Sequence, residues 1–213
     1  MSTRAKIWIL PALLYASFVF WYTDFGGPLR EDEIETFKKA MHERGESEQW
    51  QAEVEKFMRE DTGRQFLMVN IMDINENPPN VEGAEPGESA QQLAARYMEH
   101  MRGELTKRAC HEAILGMAVS TSIDIMGIEN VEVWDAASMM RYRSRRSLME
   151  VLANADQKDS HRFKEAALQK TFAFPVEMVI YLSDLRLLLA LVLLSLTALL
   201  DIFFMGRSAK TNQ

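Results

Sequence analysis

Hydrophobic positions along the 213-residue chain follow three regimes. The ends are nearly unbroken. Ile7 to Tyr22 carries no charge, and the stretch from Leu185 to Met205 is apolar apart from Arg186 and Asp201. A helix rising ~1.5 Å per residue needs about 20 residues to cross the hydrocarbon of a bilayer. The pattern therefore predicts transmembrane helices at 7–23 and 183–205, with short tails at 1–6 and 206–213. Trp21 and Tyr22 suit a membrane interface, and Pro11 lies in the first turns of its helix, where a missing N–H costs little. A cleavable signal peptide would end in small residues; Val19, Phe20, Trp21 and Tyr22 stand there instead.

The second regime has a helical period. Leu29 to Arg44 sets Ile34, Phe37 and Met41 on one stripe behind an acidic first turn, and Trp50, Val54, Phe57 and Met58 repeat the stripe after Gly45. Two short amphipathic helices follow as a lead-in over residues 24–62, closed by Asp61-Thr62-Gly63.

Beyond residue 62 the period changes. Gln65 to Asp73 is a nearly continuous apolar run, a buried strand, followed by a loop over 74–88 with three prolines. Ser89 can cap a helix reaching about Arg108. Glu112 to Ser120 and Val131 to Arg143 read as two strands. Ser144 then caps a helix through Leu152, resumed from Ser160 to Lys170, and Thr171 to Val176 closes as a short strand. The order over 63–178 is β-α-β-β-α-β, an α+β domain in which an antiparallel sheet carries two helices on one face. Alternation sends Leu67, Val69 and Ile71 to one face and Phe66, Met68, Asn70 and Met72 to the other. Both faces are mostly apolar, so the face without helices needs a second copy of the domain or the lead-in helices as cover.

Charge refines this organisation. The chain holds 24 Lys+Arg and 31 Asp+Glu, net −7. Residues 24–178 hold 19 basic and 29 acidic side chains; the remainder holds 5 and 2. Arg4, Lys6, Arg207 and Lys210 flank the spans on the tail sides, whereas acids such as Asp24 and Glu31 dominate the other flank. The positive-inside rule then puts both termini in the cytoplasm and the domain in the periplasm, for a two-pass protein of a bacterial inner (plasma) membrane. An acidic domain excludes nucleic-acid binding through a basic face. A lone cysteine, Cys110, excludes an internal disulfide and a Cys-rich zinc site. Phosphate-loop, dinucleotide, zinc-protease and nucleophile-elbow motifs are all missing, so neither cofactor nor metal is expected. Asp201, inside the second span, is expected to reach the cytoplasmic interface near Arg207.

The element order, the stretch RQFLMVNIMD, and MMRYRSRRSLMEVL followed by HRFKEAALQKTFAFP resemble the dimeric α+β barrel (ferredoxin-like) superfamily, most nearly its small domains of unknown function. The resemblance covers roughly residues 62–178. It implies two sheets facing each other around an interior that can hold a small ligand. Members include cofactor-free monooxygenases, muconolactone-type isomerases and haem-dependent peroxidases. Two membrane anchors and a helical lead-in depart from the usual soluble member.

The densest chemical feature is Arg141, Arg143, Arg145 and Arg146, at a strand-to-helix junction. Arginines at a helix N-terminus meet its partial positive charge unless an anion intervenes. The cluster reads either as a site for a carboxylate or phosphate ligand or as a basic turn answered by the domain's own acids. If the face of Arg141 is a barrel interior, Arg141 is buried there with Asn70. Trp134, placed in the third strand, joins the candidate lining. His111 beside Glu112 is a weak candidate general base and Tyr142 a second proton-exchanging group. His161 is not expected to hold haem, and in the MEHM stretch Met98 and Met101 share a helix face away from His100, which reads as core.

Two functions compete. One is an anchored, homodimerising module that binds a membrane-protein partner or small ligand without catalysis. The alternative is a cofactor-independent enzyme, monooxygenase- or isomerase-like, acting on a small anionic apolar compound oriented by Arg141.

Overall fold

The run from Phe66 to Ile74 is the axis of the central domain. As strand β1 it pairs antiparallel with β3 (Ala136–Tyr142) on one side and β4 (Leu168–Val176) on the other, and β2 (His111–Met117) lies outside β3. The strand order is β2-β3-β1-β4. These positions come from a computed structural model that describes residues 2–211, with side chains except at residues 3, 155–159 and 205–211. The tail residues 212–213 and the side chains of Arg207 and Lys210 lie outside the described residues. The chain forms two units, residues 24–178 and a pair of terminal helices.

Within the domain, α4 (Ala90–Lys107), α5 (Arg145–Leu152) and α6 (Ala155–Ala167) pack on one face of the sheet. Ser89 starts α4 through a reciprocal cap: its hydroxyl accepts the Gln92 N–H at 3.3 Å, and Gln92 Oε1 accepts the Ser89 N–H at 2.8 Å. Phe66 and Tyr142, neighbours across β1 and β3, stack at 5.3 Å and are buried with Met101, Leu105, Leu148 and Val151. Each such side chain contributes about 1.5–3 kcal/mol on removal from water. A second cluster, built on Leu93, Phe163 and Ala166, joins α4 to α6.

The lead-in forms α2 (Glu31–Glu43) and α3 (Glu48–Arg59). Their apolar stripes bury Ile34, Met41 and Met58 against Met149 of α5, and Phe57 meets Phe66 edge-on at 5.5 Å. The lead-in thus adds to the helical side of the sheet and leaves the opposite face uncovered by it. Gly63 makes the entry into β1 possible. Its φ is +72°, and a Cβ there would stand 2.8 Å from the Gly27 backbone.

Several boundaries move, and α6 begins at Ala155 rather than Ser160. The third strand begins at Ala136 rather than Val131, so Trp134 and Asp135 precede it. Asp135 serves as an anchor instead: its carboxylate accepts the Ile74 N–H at 2.6 Å and its own N–H donates to the Met72 carbonyl at 2.9 Å. The second strand ends at Met117 rather than Ser120. The fourth begins at Leu168, because Leu168 and Lys170 pair with Ile74 and Asp73 where a helix had been expected to continue.

The second unit packs α1 (Thr3–Tyr22) against α7 (Leu185–Thr211), both long and apolar enough to cross a membrane. Leucines and phenylalanines point outward, while Thr197 and Asp201 are buried. Arg4 contacts Asp201 at 3.0 Å. At the other end Arg186 donates to the Thr23 hydroxyl at 3.0 Å and stands 5.6 Å from the Tyr22 ring. Asp201 thus finds a cation in Arg4 at the tail end of the neighbouring helix; its expected neighbour, the Arg207 side chain, lies outside the described residues.

Candidate functional site

The junction between β3 and α5 carries the arginine cluster, and the structure fills it with the domain's own carboxylates. Ser144 caps α5: its hydroxyl accepts the Ser147 N–H at 3.2 Å and donates to the Asp24 carboxylate. Asp24 thereby stands at the positive end of α5, the place a bound anion would take. Arg146 grips it from the side at 3.2 Å, donates to Glu33 at 2.7 Å, and holds the Gly27 and Pro28 carbonyls. Arg145 lies 3.7 Å from Asp61 and 3.3 Å from Glu177, donates to the Phe57 carbonyl, and covers the Phe57 ring at 4.6 Å. Arg143 adds its charge near Asp24.

The electrostatics follow. Burial alone would raise the Asp24 pKa, but the Ser144 hydroxyl, the Gly26 N–H and the two arginines more than offset it, so it lies below the usual value. The Arg146 hydrogen bond holds Glu33 down at about 2. These arginines tie the lead-in to α5.

The remaining predicted site residues divide between two sheet faces. Arg141 is fully buried opposite Leu67 and His111. Its Nη1 donates to the Ala109 carbonyl at 2.6 Å, and its Nε and Nη2 to the Gln65 amide oxygen at 3.0 and 2.6 Å. It braces the start of β1 to the turn before β2. Asn70 is not its neighbour. Asn70 pairs with Ser138, one position out of phase with Arg141, and so faces the helices, where its side chain donates to the Met68 carbonyl at 3.1 Å.

Tyr142 also faces the helices, and burial pushes its phenol well above the ordinary value. It cannot share a reaction centre with His111 and Arg141 across the sheet. His111 contacts the Glu112 backbone carbonyl at 3.1 Å. Trp134 sits at the far end of the open face, 5.4 Å edge-on to Phe172, under the Lys170 ammonium at 4.6 Å. Along β1 that is four residues from Arg141, about 13 Å. Of the weak catalytic candidates, His111 is the one paired with Arg141, across β2 and β3.

Sequence reasoning missed Asp24, Glu33, Asp61 and Gln65 as partners of the arginines. Each lies 76 or more residues from the arginine it serves, with no local signal to mark it. Among the described residues no group of three metal-ligating side chains converges.

What the domain does expose is apolar surface. On the face opposite the helices, Leu67 and Val69 of β1 are already buried and Ile71 partly so, between Met139 and the pair Phe172 and Phe174, which stack at 6.1 Å and carry the exposure. Ile114, Phe172 and Phe174 remain 45–50% exposed. Ile123, Met126 and Ile128, in the connection from β2 to β3, are more exposed still.

No family model matches this chain, and no curated protein matches it in sequence. Its likeness is to solved structures. Two crystal structures are of one protein of unknown function from Rhodopseudomonas palustris. The methylated form superposes with a TM-score of 0.51 at 13% identity, over 63% of this chain and 93% of that one. The other gives 0.49 at 14% identity, over 63% and 95%. A protein from Bacteroides fragilis, described as dimeric, of unknown function and ferredoxin-like in fold, gives 0.32 at 7% identity, over 54% and 96%. At these identities the likeness is one of fold.

Proposed function

We propose that this chain is a two-pass membrane protein whose α+β domain pairs with a second copy of itself through the open sheet face. Its terminal helices anchor it in a bacterial inner membrane with the domain in the periplasm, and it acts by binding a partner rather than by catalysis. One observation carries this reading: the lead-in helices pack on the helical side, leaving an apolar sheet face with Ile114, Phe172 and Phe174 half exposed. Contiguous apolar surface of this kind marks an interaction site in a soluble domain. Back-to-back pairing of two such faces under C₂ symmetry buries it. The arginine cluster supports the non-catalytic reading, since its anion position is taken by Asp24.

The alternative of a cofactor-independent enzyme rests on His111 lying opposite Arg141. Native mass spectrometry of the full chain released from detergent micelles separates the two. Two copies without a retained small molecule is the expected result. One copy at micromolar concentration overturns the pairing, and a retained small molecule that the purified protein chemically converts favours the enzyme.

A further inference from the structure

The connection from β2 to β3 spans residues 118–135, several times the roughly two to five residues of an ordinary hairpin loop. It is built as an arm. The Ala118 N–H donates to the Asp135 carbonyl at 2.7 Å and the Ser122 N–H to the Glu132 carbonyl at 2.8 Å, so the two legs run together. Its root is fixed on the rim of the open sheet face. Lys170 of β4 donates to the Asn130 carbonyl at 2.6 Å, and Trp134 meets Phe172 edge-on at 5.4 Å. Its apolar side chains face solvent: Val119 and Ile123 are almost wholly exposed, Met126 is 85% and Ile128 64% exposed, and Ile125 and Val133 are close to half.

The sheet face by itself falls short of a stable interface. Phe172, Phe174 and Ile114 leave roughly 200 Å² exposed, taking about 200 Å² for a whole aromatic side chain and about 100 Å² for an aliphatic one. A stable pairing takes about 800 Å² from each partner. The arm offers roughly 400 Å² more on the same scale, and only the two together approach that requirement. They also form one continuous surface, because the Trp134–Phe172 contact joins the arm to the face.

Charge selects what the arm meets. Residues 118–135 carry Asp124, Glu129, Glu132 and Asp135 and no lysine or arginine. That balance disfavours an anionic lipid surface and sets two arms laid side by side against each other. The opposite end of the sheet, about 20 Å away along β1, carries Arg64 and Arg143. Arg64 is exposed and has no ion pair among the described residues, while Glu177 at that end is held by Thr62 and Arg145. We propose that the arm clasps a second copy of this chain. The two domains stack with their sheet ends reversed, and each arm lays Ile123, Met126 and Ile128 against the arginine end of the other copy's open face. The clasp rests on the pairing proposed above and names the contact that completes it.

The test is photocross-linking of the full chain in detergent micelles, with Met126→p-benzoylphenylalanine in a mixture of isotopically labelled and unlabelled chains. Native mass spectrometry of the same sample gives the copy number. Cross-links joining a labelled to an unlabelled chain should map to the peptides that hold Arg64 or His111 to Ile114, and adding Arg64→Glu should lower their yield several-fold. The double variant Ile123→Ser, Met126→Ser changes only exposed positions, so the fold should persist while the pairing weakens about tenfold in a dilution series. Two copies with no cross-link between chains, or with arms cross-linked only to each other, overturn the clasp and leave the pairing standing. Undiminished pairing in the double variant also overturns it. A single copy removes the pairing and the clasp together.

Discussion

The Ser144 hydroxyl donates to the carboxylate of Asp24, 120 residues earlier in the chain. That bond places a carboxylate at the N-terminus of α5 and gives Arg146 a partner that the turn itself lacks. The lead-in and the second half of the domain are thereby joined at one point, with Arg146 also holding Glu33.

Arg146→Ala should therefore destabilise the domain by about 2 kcal/mol, since it takes the shared cation from two largely buried carboxylates and leaves Asp24 with the Ser144 hydroxyl and the Gly26 N–H, and Glu33 with Arg30. Urea unfolding followed by tryptophan fluorescence would measure it, as Trp50 packs in the lead-in cluster. Adding Asp24→Asn and Glu33→Gln should recover part of the loss. No recovery would show that the network does not act as a unit.

The same network sets an acid limit. Glu33 has a folded-state pKa of about 2, below the ordinary 4.5, and Asp24 is shifted the same way. A depressed carboxyl stabilises the fold fully above its unfolded-state value and loses that contribution as pH falls toward the folded one. Stability should decline between about pH 4.5 and 2, with the Glu33→Gln variant showing a shallower decline over that window. Equal slopes in the two proteins would remove Glu33 from the account.

Phe174→Asp places a charge on the open sheet face at a position 45% exposed. The fold should survive, with an unchanged circular dichroism spectrum, because nearly half of the residue already faces solvent and it lies outside the clusters beneath the helices. The copy number read by native mass spectrometry should fall from two to one. A variant that stays paired would move the interface elsewhere.

In the helix pair, Arg4→Ala should weaken the α1–α7 association more than the double substitution with Asp201→Leu. The single change leaves a buried carboxylate uncompensated, while the double change replaces it by apolar surface. Midpoints of SDS-induced unfolding would rank them, and the reverse order would contradict the pairing.

Gly63→Ala should cost about 1–3 kcal/mol, from a positive φ together with a Cβ pressed 2.8 Å from the Gly27 backbone. The thermal midpoint reports it directly. Gly45→Ala, also at positive φ but with open space around it, should cost less.

Two apolar helices, the helical stripes of the lead-in and the β-α-β-β-α-β order were all legible in the chain, because each depends on a period that neighbouring residues express together. Unlike the burial of Tyr142, which the sequence offered as a proton-exchanging group, the cap at Ser144 and the burial of Phe66 belong to the same class. So does the separation of Tyr142 from Arg141, which follows from alternation along one strand. Tertiary structure alone decided the rest. The face of Asn70 relative to Arg141 depends on the register between β1 and β3, where a shift of one residue exchanges every side chain between faces. The partner of Asp201 was settled by which helix lies against α7. The fate of the four arginines depended on where Asp24, Glu33 and Asp61 arrive from distant parts of the chain, a matter of packing among separate elements that no local pattern encodes.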